Sequence, residues 1–179
     1  MDSRVVYENM TFAKMIDSEE IESKIAVLAS DINREYFGQK IEVIIVLKGA
    51  FIFAADLVRH FNFDHRIHFI QFSSYQGTVS SGLITEKFPL DLDVKNKKIL
   101  IIEDIVDTGN TLNYFIQKLG SDAPLSIDIA ALLFKTEAYS HNYPVKFSAF
   151  QIENKFVIGY GLDLNEQARN LPHIYQLDK

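Results

Sequence analysis

The segment Ile99–Thr111 of this 179-residue chain reads ILIIEDIVDTGNT. An apolar run ends in Glu103 and Asp104, a third carboxylate follows at Asp107, and Thr108, Gly109, Asn110 and Thr111 turn the chain into a new apolar-periodic segment. Ionised carboxylates accept hydrogen bonds without donating, so Glu103 and Asp104 suit sugar hydroxyls or the oxygen shell of Mg²⁺. The turn would present backbone N–H groups at the start of a helix, which is an anion site. Taken singly, each feature also fits a solvated strand end and an ordinary turn. Taken in this order, they are poor core design and good design for holding a sugar, its phosphate and a metal. The chain has no G-x-x-x-x-G-K-[ST] loop and no G-x-G-x-x-G fingerprint, so the anion site is of neither kind.

Three further stations carry chemistry. Lys48 and Gly49 follow the β-branched run Ile41–Leu47. A lysine at the carboxyl end of a strand, with a glycine allowing close backbone approach, can receive a pyrophosphate. Lys135 closes the apolar run Ile127–Phe134 at another strand end, where a solvated cap is the plain alternative. Between them, Ser73–Gly82 reads SSYQGTVSSG, a flexible loop on its own terms.

The elements that position these residues follow from periodicity. Asp17 and Glu20 form a capping-box pattern ahead of Ile21, Ile25, Leu28 and Ile32, predicting a helix of about twenty residues. Strands are predicted over 41–47, 66–72, 98–102 and 126–134, and helices over 51–61 and 112–119. The run Ile99–Ile102 has no polar alternation, which suits a central parallel strand covered on both faces, with Glu103, Asp104 and Asp107 beyond its carboxyl end. Strands alternating with helices indicate an α/β fold with a mostly parallel sheet. The chain reads as one domain, with a core over roughly 17–143. A small lobe would be built from 1–16 and 144–179, with short strands at 146–152 and 155–159.

Composition narrows the function. Eighteen Lys and Arg against 24 Asp and Glu give a net charge of −6, and no basic run exceeds Lys97–Lys98, which argues against nucleic-acid binding. Cysteine is absent, so thiolate catalysis, zinc–thiolate sites and disulfides are excluded. The five histidines show no H-E-x-x-H spacing. No signal-peptide pattern opens the chain and no membrane-length apolar span occurs, so a cytoplasmic protein with no membrane partner is expected.

The order EDI-x-D-T-G-x-T resembles the 5-phosphoribosyl-1-pyrophosphate (PRPP) signature of the type I phosphoribosyltransferases, and most of all their hypoxanthine-guanine branch. The resemblance extends from Leu47 to Arg169 and includes Leu47-Lys48-Gly49, the Ser73 loop, Lys135 and KFVIGYGLDLNEQAR (155–169). It implies the type I fold, with a small hood over the sheet ends. It assigns Glu103 and Asp104 to the ribose, Asp107–Thr111 to the 5-phosphate, and Asp107 also to general-base catalysis. Lys48, Gly49 and Arg169 would meet the pyrophosphate, with a non-proline cis peptide often found in the Lys48 loop. Ser74 and Tyr75 would cover the site when their loop closes. Lys135, Phe156, Val157 and Asp163 fall on the purine side, with Phe156 stacking and the Val157 backbone meeting the purine edge. Mg²⁺ would be held by Glu103, Asp104 and Asp163.

The resemblance therefore implies a purine-salvage transferase that takes PRPP and a 6-oxopurine, hypoxanthine and also guanine, and works as a homodimer or homotetramer. Two alternatives share the fold: a xanthine-preferring enzyme, and a regulator that binds PRPP or nucleotides. The regulator should show a basic face, which this chain lacks. A phosphorylated receiver-like domain would leave Lys135 and the 155–169 stretch without a role. One departure stands out, because Thr136-Glu137-Ala138 follows Lys135 where relatives commonly carry proline or a further basic group.

Overall fold

The structure is a computed structural model that describes residues 3–74 and 84–178. The central sheet grows around the most apolar strands. β3 (Lys40–Leu47) and β6 (Lys98–Val106) pair in parallel. On the outer side of β3 lie β4 (Asp64–Ser74), parallel, and β5 (Ile84–Phe88), antiparallel. On the outer side of β6 lie β7 (Ser126–Phe134) and β8 (Phe147–Gln151), both parallel. The order is β5-β4-β3-β6-β7-β8.

Period-two alternation divides the central strands between two cores. Ile41, Val43 and Ile45 with Leu100 and Ile102 face α1 (Ser18–Glu35) and α2 (Phe51–Val58), which contribute Ile21, Ile25, Leu28, Ile32, Phe53 and Leu57. Ile44, Val46, Ile99 and Ile101 face α3 (Asn110–Gly120), which contributes Leu112, Phe115, Ile116 and Leu119. Each such side chain buried from water contributes about 1.5–3 kcal/mol. α1 starts as its sequence indicates, because the Asp17 carboxylate accepts from the Glu20 amide at 3.0 Å.

A second sheet joins the two chain ends in the order β1-β2-β10-β9, with β1 (Arg4–Tyr7), β2 (Met10–Ile16), β9 (Val157–Ile158) and β10 (Ile174–Leu177). Phe12, Ile158, Ala168 and Tyr175 form its core. The small lobe expected from the terminal segments therefore has a sheet of its own. Its boundary needs correction, because 147–151 belongs to the central sheet, with Ala130 opposite Phe147. Among the described residues, no helix is long and apolar enough to cross a membrane.

Candidate active site

The chain leaves β3 towards β4 and β5 on one side, then returns to β6 on the other. This reversal opens a crevice at the carboxyl ends of β3 and β6, where open parallel sheets bind ligands. The residues singled out by sequence collect around it. Lys48 and Gly49 follow β3, and the Leu47–Lys48 peptide is cis, as the resemblance implies. A Cβ on Gly49 would sit 1.7 Å from Asp104 Oδ2, so a bare backbone is what lets this loop lie against the carboxylate.

β6 does not end at Ile102. It runs to Val106, so Glu103 and Asp104 lie inside the strand rather than beyond it. Alternation then sends Glu103 to the α3 side with Ile101, and Asp104 to the opposite side with Ile102. The adjacent acids consequently face different halves of the crevice. Among the described residues, no three Asp, Glu, His or Cys side chains gather into a metal-binding group, so Glu103, Asp104 and Asp163 do not form a closed cage. Burial, and then the charge of Asp104, holds the Glu103 carboxyl well above the usual carboxylate range. Its Oε2 is buried without a partner among the described residues. Burial also pushes Asp104 up to about 6, opposed by the amides of Ile105 and of Asp104 itself and by Arg169, and reinforced by Asp163. A buried acceptor without a donor points to a ligand that supplies one.

On the Glu103 side, a cavity of about 120 Å³ is bounded by Glu103, Asp107 and the turn Thr108–Thr111. Gly109 is the N-cap of α3, with φ +80°, and offers no side-chain acceptor to the first amides of the helix. The turn after Lys135 braces this loop. The Ser140 amide and hydroxyl both donate to the Thr108 carbonyl at 3.3 Å, and a ring nitrogen of His141 lies 2.8 Å from Asn110 Oδ1. The departure at Thr136–Ala138 thus leads into a segment that packs on the Thr108–Thr111 turn.

Lys135 is buried, with 6% exposure, and its Nζ donates to Asp107 Oδ2 at 2.6 Å and to Asn154 Oδ1 at 3.3 Å. A buried ammonium held against a half-exposed carboxylate gives the crevice a donor and an acceptor side by side. Phe156 presents a 46% exposed side chain, with its ring centroid 6.2 Å from that of Phe12. Val157 is buried on β9, the edge strand of the small sheet, and pairs with Gln176 on one side only.

The Asp104 side carries an ionic network. Arg169 Nη2 contacts Asp163 Oδ1 at 2.8 Å and Glu166 Oε2 at 3.1 Å, while Nη1 donates to the Gly161 carbonyl at 2.8 Å. Arg169 Nε is buried without a partner among the described residues. Lys48 Nζ lies 2.9 Å from Glu166 Oε1. The Ser74 backbone pairs with Ile84 at the end of β4, while its side chain and all of Tyr75 lie outside the described residues. Asn154, Glu166, Ser140 and His141 carry no motif that marks them in the sequence. Glu166 stands within the matching stretch, so its charge was the one signal available.

Comparison with known proteins agrees with this geometry. The family model described as "Phosphoribosyl transferase domain" matches residues 13–165. The chain is 36% identical to the hypoxanthine phosphoribosyltransferase of Buchnera aphidicola subsp. Schizaphis graminum, covering 92% of this chain and 94% of that protein. It is 37% identical to the hypoxanthine-guanine phosphoribosyltransferase of Mycobacterium tuberculosis H37Rv, covering 92% and 85%. The crystal structure of a hypoxanthine-guanine phosphoribosyltransferase from Bacillus anthracis superposes with a TM-score of 0.86 at 36% identity, covering 92% of this chain and 98% of that one. The hypoxanthine phosphoribosyltransferase of Trypanosoma cruzi gives 0.86 at 34% identity, covering 97% and 94%. With its PRPP-type loop, its Lys135–Asp107 pair and these likenesses along nearly its whole length, the chain belongs to the phosphoribosyltransferase family, in its hypoxanthine-guanine branch.

Proposed function

We propose that this protein is a cytoplasmic purine-salvage enzyme that transfers the 5-phosphoribosyl group of PRPP to hypoxanthine, and to guanine, releasing pyrophosphate. The observation that carries the proposal is the Lys135–Asp107 pair, 2.6 Å apart, beside the turn that opens α3. A 6-oxopurine offers an acceptor at its exocyclic oxygen and a ring N–H close by, which match an ammonium and a carboxylate. Adenine's 6-amino group would meet the ammonium donor to donor and leave it unpaired.

The remaining roles follow from placement. The turn Thr108–Thr111 and the uncapped amides of α3 hold the 5-phosphate, and Glu103 and Asp104 hold the ribose hydroxyls from opposite faces of β6. Asp107 accepts or shares the purine proton, which sharpens the ring nitrogen as a nucleophile. Lys48, Arg169 and the amides of the Gly49 loop stabilise the departing pyrophosphate. Phe156 covers the purine from the lobe formed by β1, β2, β9 and β10, and the open edge of Val157 meets its rim. The residues present also fit Mg²⁺. Glu103 keeps a buried oxygen unpartnered, a nearby cation would favour the ionised forms of both strand acids, and Mg²⁺ needs only one or two carboxylates when substrate and water complete its shell. Asp104 with Asp163 on one face of β6, or Glu103 on the other, would hold it, and it would neutralise charge on the leaving pyrophosphate. An assembly of two or four copies belongs to the same reading; in the T. cruzi relative the C-terminal region bears on the oligomeric state.

The test compares hypoxanthine turnover with PRPP by the wild type and by Lys135→Met. The wild type should form the nucleotide. The variant should lose roughly ten- to a hundredfold in kcat/KM for hypoxanthine, the value of a hydrogen bond to a charged group, with the KM for PRPP little changed. Equal kcat/KM in the two proteins would remove Lys135 from base recognition.

A further inference from the structure

Both cations on the pyrophosphate side of the crevice are held by one carboxylate of the protein. Glu166 places Oε1 2.9 Å from Lys48 Nζ and Oε2 3.1 Å from Arg169 Nη2. It is the ion-pair partner of Lys48 among the described residues, whereas Arg169 keeps Asp163 and the Gly161 carbonyl as well. The backbone that carries Glu166 is fixed. Asn165 and Glu166 take φ values of 49° and 67°, Leu164 and Gln167 exchange backbone hydrogen bonds at 3.2 and 2.9 Å, and the Glu166 amide donates to Asp163 Oδ2 at 2.8 Å. Asn165 Nδ2 ties the turn to the Glu8 carboxylate at 2.8 and 3.0 Å. The Glu166 side chain, by contrast, is 63% exposed. Its carboxylate can therefore leave both cations by rotating about its own bonds, with no change in the turn.

Two oxygens bridging two cations is the contact set that a pyrophosphate group would make with Lys48 and Arg169. We propose that Glu166 is an internal counter-ion that occupies the pyrophosphate's place on Lys48 and Arg169, so that PRPP and product pyrophosphate bind only by displacing it. This rests on the transferase reading of the site. The free energy of the two pairs is subtracted from ligand binding, and the freed carboxylate, still tethered nearby, repels the bound anion. Glu166 thereby weakens ground-state binding of PRPP and speeds release of pyrophosphate, without touching the reacting carbon.

The test is calorimetric titration of pyrophosphate, in buffer containing Mg²⁺ and no purine, into the wild type, Glu166→Gln and Glu166→Ala. Both variants should bind pyrophosphate about three- to tenfold more tightly, the scale of two partly exposed ion pairs, and the gain should shrink as salt rises. In steady state the KM for PRPP should fall by a similar factor, a split between KM and kcat that a merely structural residue would not produce. Pyrophosphate binding that is unchanged or weaker in both variants, with wild-type melting temperatures, would overturn the proposal and make Glu166 a residue that positions the cations. Failure of the transferase reading shows separately, as wild-type protein that turns over no purine while the calorimetric gain persists.

Discussion

Carrying two acids on a central strand of a sheet is costly, and Glu103 and Asp104 show where the cost falls. The Asp104 carboxyl sits at about 6 in the folded chain against 3.8 for an unperturbed aspartate, chiefly because burial disfavours its charge. Folding therefore takes up a proton at this site. The stability this contributes is complete below about pH 4 and is lost as the pH rises through about 6. Asp104→Asn has no charge to bury, so thermal melts should show the variant above the wild type at about pH 7.5, with the gap closing as the pH falls towards 4. A wild type that melts higher at neutral pH would mean that the attraction of Arg169 outweighs burial. Glu103 is held up by the same cause, so both acids contribute stability that is lost as the pH rises, and a bound cation should relieve the cost of ionising them.

The Thr108–Thr111 turn depends on how α3 begins. Its N-cap, Gly109, sits at φ +80°, and a Cβ there would lie 2.3 Å from the Tyr139 ring, whereas a Cβ on Gly120 at the other end of the helix meets nothing within 4 Å. Gly109→Ala should destabilise the protein by about 1–2 kcal/mol from the backbone alone and raise the KM for PRPP. Gly120→Ala should be neutral or stabilise it by about 0.4–1 kcal/mol. Urea melts of the two variants check both, and equal effects would remove the special role of the Gly109 turn. The elements themselves were legible where apolar periodicity was strong. α1 begins at its capping aspartate, and the span 126–134 matches β7. The pattern misleads where charged or small polar residues interrupt it. Charged residues look like the end of a strand, yet β6 continues through Glu103 and Asp104 because Glu103, Ile105 and Val106 still pair with β7. β5 follows a Ser- and Gly-rich stretch that carries no strand signal. At β8 the sequence indicates a strand but not its neighbour, which is β7 and not a strand of the small lobe.

At the scale of the whole molecule, the site is a consequence of strand order. The reversal between β3 and β6 brings Gly49 against Asp104, and the parallel pairing of β6 with β7 brings Lys135 to Asp107. Neither proximity is visible in local sequence. The residue types and their order implied these stations through their family likeness, while the contacts that join them did not show. Glu166 reaches Lys48 across 118 residues, and Lys135, just after β7, reaches Asn154, in the connection that follows β8. The acidic balance of the chain agrees with an enzyme for small anionic substrates that relies on a few focused cations and backbone amides rather than a broad basic face. The most direct measurement of the central claim is a spectrophotometric assay of the purified protein with PRPP and Mg²⁺, offering hypoxanthine, guanine, xanthine and adenine in turn. Nucleotide should form from hypoxanthine and guanine, with adenine slower by roughly a hundredfold or more, because its amino group leaves the Lys135 ammonium unpaired. No turnover with any 6-oxopurine, or adenine used as well as hypoxanthine, would contradict the account.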